Sequence, residues 1–138
     1  MGKTRKIFST LLGAMAAIAL IALGEWIMEH FYSMPPGIDM NDKKALAAAI
    51  DAMPLGAFLG LLVSYAVASF AGGLIASFMS GREVPRSSII VGAILTLAGL
   101  WNIILIPHPL WFSIANLLVY VPFAYLGFKL SAKKQPAD

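Results

Sequence analysis

The sequence predicts an all-α integral membrane protein, a four-transmembrane-helix bundle with a short amphipathic interfacial helix between helices 1 and 2. Three observations carry that prediction. Of 138 residues, 10 are Lys or Arg and 7 are Asp or Glu, while 59% are apolar and mean hydropathy is +0.82. A soluble domain carries about twice this charged fraction, roughly 25%. Four apolar stretches approach or exceed the roughly 20 helical residues needed to cross a hydrocarbon core. Eight of the ten basic residues gather beside those stretches on one side.

Span one covers about 7–28 and span two 55–79, with spans three and four at 89–106 and 110–128. Each must be helical, because lipid leaves open strand edges without hydrogen-bond partners. Lys3, Arg5 and Lys6 precede span one, Arg82 and Arg86 separate spans two and three, and Lys129, Lys133 and Lys134 follow span four. Only Lys43 and Lys44 lie on the other side. By the positive-inside rule both termini are expected in the cytoplasm, in a bacterial inner (plasma) membrane, as one membrane domain over 1–138. A competing reading takes Lys3–Lys6, the apolar run and Ala22-Leu23-Gly24 as a secretory signal with its cleavage site. Continued apolarity through Trp26, Ile27 and Met28 favours a full span.

The outward loop, 29–54, opens with Ser33-Met34-Pro35-Pro36-Gly37, a turn-forming run. Asp39 or Asn41 can then cap a helix over about 41–53, closed by Pro54. Leu46, Ala49, Ile50 and Met53 share one face of it, suited to the membrane interface. It reads as a connector or, more sharply, as a lid over an outward pocket.

Span two has the most ordered pattern. Gly56, Gly60, Ser64, Ala68, Gly72, Ala76 and Ser80 recur every four residues. Small residues let helix backbones approach in lipid, where van der Waals packing drives association. Seven such positions drift more than halfway around a helix, which predicts a central helix sharing its stripe among two or three neighbours. Gly92, Thr96 and Gly99 repeat the theme on span three, and Pro122 interrupts the hydrogen-bond ladder of span four.

Depth supplies the functional signal. Glu25 lies about one turn inside the outer end of span one, Asn102 about one turn inside span three, and Asn116 deeper in span four. Acids inside membranes are costly and usually face a bundle interior or a wet cavity. Glu25, Asn102, Asn116 and Tyr120 are therefore the candidates for a polar pocket or proton-binding group. Glu29, His30, His108, Trp26, Trp101 and Trp111 are candidates for its outer rim, although the tryptophans also fit an aromatic belt. Pro107-His108-Pro109-Leu110-Trp111-Phe112 is the most distinctive short run.

Several chemistries are excluded or left open. With no cysteine there is no disulfide, thiolate or iron–sulfur site. The basic clusters lack interleaved aromatics, so no nucleic-acid partner is expected. No catalytic residue and no cofactor is assigned. Glu25, Glu29, His30 and His108 are acceptable metal ligands, but their spacing matches neither a di-iron nor a zincin pattern, and the metal stays unknown. Beyond the lipid bilayer, the expected partners are further copies or a larger membrane complex. Three functions follow: an accessory or assembly protein, motivated by the small-residue stripe; an oligomeric small-solute or proton-coupled transporter using Glu25; and an outward-facing metal-binding protein or membrane enzyme. Four spans and a membrane glutamate make the chain similar in plan to the small multidrug resistance transporters, without any of their motifs.

Overall fold

The computed structural model describes residues 2–132. Four helices are long and apolar enough to cross a membrane, namely α1 (Lys3–Phe31), α3 (Leu55–Ser80), α4 (Arg86–Leu105) and α5 (Leu110–Ser131). Between the first two lies the nine-residue α2 (Lys43–Asp51). At 1.5 Å per residue the shortest spanning helix, α4, is about 30 Å long, the thickness of a hydrocarbon core. The helix ends with α2 on one side form the α2 end. Lys3, Arg5, Lys6, Arg82, Arg86 and Lys129 lie at the opposite, basic end, while Lys133 and Lys134 fall outside the described residues.

Boundaries follow local chemistry. α1 starts four residues before the apolar stretch, because Lys and Arg are good helix formers. It runs unbroken through Ala22-Leu23-Gly24. Pro107 biases its predecessor away from helical geometry, and Ile106 is accordingly extended (φ −119°, ψ 122°). α3 stops at Gly81, whose φ of 109° lies in the left-handed region that glycine tolerates. The cap of α2 differs from expectation. Asp42, rather than Asp39 or Asn41, accepts from the Lys44 and Ala45 amides at 3.1 and 3.3 Å. Asp39 instead holds the preceding turn by accepting from the Asn41 amide. That correction shortens the helix from 41–53 to 43–51.

α3 packs against α1, α4 and α5 and is the central helix, while α1 and α5 do not meet. The route to that position differs from the sequence expectation. A Cβ on Gly72 would press on Gly13 and Ala17, and one on Gly60 would reach Met28. One on Gly56 would reach Tyr32, and Ser64 packs on Gly24. α1 thus meets the stripe almost end to end, and α4 joins it at Gly72 through Val91. Near Gly13 and Gly72 the two backbones touch. Where the stripe drifts away, the long side chains of Met28 and Tyr32 bridge the gap. α5 uses a different face of α3: Cβ atoms on Gly73 and Gly127 would strike the opposing backbone at Ala124 and at Phe70–Leu74.

The core is graded along its axis. Toward the basic end small residues predominate, Ala17, Ala68, Gly72, Ala76, Gly92 and Ala124 around the buried Val91 and Leu95 of α4, so backbones approach closely. Toward the α2 end aromatic side chains fill the space. Phe58, Phe112, Tyr65 and Tyr120 are all buried, with ring centroids 5.3 Å apart for Phe58–Phe112 and 5.9 Å for Tyr65–Tyr120. Leu46 and Ile50, one turn apart on α2, join this cluster with Met34, Met53 and Ile106 alongside. α2 therefore closes the end of the bundle where the rings hold the helices apart. Large apolar residues such as Met15, Val63, Leu97 and Leu118 face outward, as a hydrocarbon solvent allows.

Candidate functional site

Glu25 projects from α1 about 9 Å before its C-terminal end, at 1.5 Å per residue. Its residue is exposed on the outside of the bundle rather than enclosed. The carboxylate reaches back to accept a hydrogen bond from the Tyr65 hydroxyl at 3.2 Å. Tyr65 is buried and packs against Tyr120, which in turn lies beside Asn116 at the surface of Gly99. A Cβ on Gly99 would stand 2.7 Å from the Tyr120 ring and 2.9 Å from Asn116 Oδ1. The glycine leaves room for both side chains.

Glu25 thus pairs with Tyr65 and with neither Asn102 nor Asn116, the partners its depth suggests. Tyr65 was not legible as a site residue, since a tyrosine in a span is ordinarily read as packing. Its need for a hydroxyl partner when buried is the signal that could have found it. Asn116 is fully buried, and its Oδ1 and Nδ2 both lack a partner. Asn102 is half-buried, with its carbonyl taken by the Ile106 amide. Spans three and four meet at Gly99, against Asn116 and Tyr120, while the hydroxyls nearby bond within their own helices. Thr96 donates to the Gly92 carbonyl and Ser113 to the Pro109 carbonyl, each within its own helix.

The rim residues disperse around the α2 end. Glu29 and His30 are exposed, and His30 stacks on Trp26 at 6.2 Å. Trp26 and Trp101 are 65% and 64% exposed, and Trp111 44%, the disposition of an interfacial belt rather than a cage. His108 lies in the connection between α4 and α5, stacked on Phe112 at 5.1 Å with its Nδ1 buried and unpartnered. Burial holds its pKa below the ordinary histidine value. Among the described residues, no three of His, Asp and Glu come together to hold a metal ion, so Glu25, Glu29, His30 and His108 do not form the ligand set their residue types allow. No protein-family model, curated protein or solved structure matches the chain.

Proposed function

We propose that the protein acts by association, as an accessory or assembly subunit that completes its polar site against another membrane protein or a further copy of itself. The observation that carries this reading is the exposure of Glu25 on a membrane-spanning helix. Transfer of an acidic side chain to mid-bilayer costs about 2.5–3.5 kcal/mol on insertion scales, and less near an interface. Tyr65 satisfies one carboxylate oxygen and leaves the other to its surroundings. A neighbouring helix bringing a donor to this face would cover it. The small-residue stripe no longer motivates the proposal, because α1 occupies it within the same chain. The setting is a bacterial inner membrane with both termini in the cytoplasm.

A photo-reactive residue in place of Trp26, the exposed neighbour of Glu25, tests the proposal in native membranes. The expected product is a discrete protein adduct that disappears with Glu25→Leu. Lipid adducts alone, or an adduct indifferent to Glu25→Leu, would refute it.

A second reading has one observation in its favour. Glu25, Tyr65, Tyr120 and Asn116 lie in succession from the bundle surface to its core, joined by one hydrogen bond at Glu25–Tyr65 and by packing beyond it, an order that suits a proton-coupled transporter working as an oligomer. In proteoliposomes Glu25→Gln then abolishes pH-dependent flux, and unchanged flux removes this alternative.

A further inference from the structure

The six basic residues described at the basic end divide into two sets. Arg5 donates through Nε to the Met79 carbonyl at 2.8 Å, tying α1 to the last turn of α3. Arg82 lies 5.1 Å from the Phe78 ring centroid, and Lys129 lies 5.9 Å from that of Tyr125. Each of these three has a protein partner. The side chains of Lys3, Lys6 and Arg86 make no hydrogen bond to a protein acceptor among the described residues. All three line one groove of about 530 Å³ between α1 and α4.

Two further features of the groove point to an anion. Ser87 lines it while only 5% exposed, and its hydroxyl has no partner among the described residues. The serine sits in the first turn of α4, a 20-residue helix without a side-chain N-cap. The amides of Arg86, Ser87 and Ser88 precede the first helical hydrogen bond, which Ile89 donates to Pro85. This first turn, with its orphan donors and the positive end of the helix dipole, lies at the groove that Arg86 and Ser87 line together with Lys3 and Lys6. Glu83, in the connection before α4, is the one acid described at this end.

The groove is amphipathic. Behind the cations its walls are Ile7, Leu11, Ile90 and Ile94, in the membrane-spanning parts of α1 and α4. A free phosphate would satisfy the polar mouth and leave those walls bare. We infer that the groove binds one anionic diacyl phospholipid. Its phosphate sits among Lys3, Lys6, Arg86 and the Ser87 hydroxyl, and an acyl chain lies along Ile7, Ile90 and Ile94. Basic pockets between spanning helices favour such headgroups on physical grounds, since charge and hydrocarbon are both complementary.

The test uses the full chain purified in uncharged detergent, titrated with phosphatidylglycerol, with phosphatidylcholine of the same acyl chains, and with inorganic phosphate. Native mass spectrometry reads stoichiometry, and thermal unfolding reads stabilisation. Phosphatidylglycerol is expected to saturate at one per chain and raise the melting temperature, with little response to the other two. Removing a juxtamembrane cation weakens anionic-lipid binding about fivefold. Lys6→Gln with Arg86→Gln should therefore lower affinity by about 25-fold. Arg82→Gln with Lys129→Gln, which removes the same charge away from the groove, should leave it nearly unchanged. Ile90→Trp fills the groove with every charge retained and should also weaken binding. Equal losses from the two charge pairs would identify diffuse attraction and overturn the site. So would equal binding of phosphatidylcholine, a response to phosphate alone, or indifference to Ile90→Trp.

Discussion

Gly72 is the point at which α1, α3 and α4 meet, and one added methyl group there measures how closely the bundle is held. A Cβ on Gly72 would lie 2.7 Å from the Gly13 carbonyl oxygen, 2.8 Å from Ala17 Cβ and 3.3 Å from Val91 Cγ1. Ordinary contact begins at 3.4 Å. α1 would therefore have to retreat by about 0.7 Å, and a gap of that size forfeits roughly a quarter to a half of each dispersion contact it opens. Neither the Gly13 carbonyl nor the Ala17 Cβ can rotate out of the way. Overpacking of this kind costs about 1–3 kcal/mol. Gly60→Ala is the matched control, because its new methyl meets the sulfur of Met28, the end of a flexible side chain. Both substitutions carry the same change in helix propensity, so the difference between them isolates the contact. Reversible unfolding in mixed micelles, followed by circular dichroism, should place Gly72→Ala about 1–3 kcal/mol below Gly60→Ala. Equal stability of the two variants would refute the backbone contact between α1 and α3.

Asn116→Leu removes a fully buried amide with no partner. It is expected to raise stability by up to about 1–3 kcal/mol in the same unfolding assay, whereas a loss would mean that the amide holds a partner in the membrane. His108 binds its proton more weakly when folded, so the unfolded chain takes up protons first as pH falls. Stability is then full above the ordinary histidine value of about 6.5 and declines as pH drops through the lower folded value. Melting temperatures from pH 8 to 5 should show this decline, and His108→Gln should flatten it; identical profiles would contradict it. Because the chain has no cysteine, single substitutions report topology cleanly. An impermeant maleimide should label Lys44→Cys in intact cells and Glu83→Cys only after permeabilisation. The reverse pattern would invert the proposed orientation.

The spans were legible because length and hydropathy are local properties, and because lipid admits helices almost exclusively. The break at Pro107 was legible for the same reason, as a constraint on a single backbone position, whereas the left-handed Gly81 at the end of α3 was not singled out. The prominence of α3 could be read from its small residues, but their partner could not. Period-four drift implies a shared stripe only when every contact is short. Met28 and Tyr32 reach across the widening gap, and only assembled helices show which long side chains do so. Gly73 and Gly127 were invisible in the pattern because each pairs with a backbone on another helix.

The functional residues divide along the same line. Membership in the membrane, the sidedness of the basic residues and the isolation of Glu25 as the one acid well inside a span all follow from residue order. The facing of Glu25 does not, because it depends on how α1 is rotated by its contacts with α3. That rotation buries Gly13, Ala17 and Gly24 and leaves Glu25 outside, reaching back to Tyr65. The same packing decides which cations are occupied. Arg5 reaches the end of α3, while Lys3 and Lys6 are left beside Arg86 and Ser87 over an apolar groove. Charge and hydropathy belong to each residue separately; a site requires two helices to meet at a definite register, and only the tertiary structure sets that register.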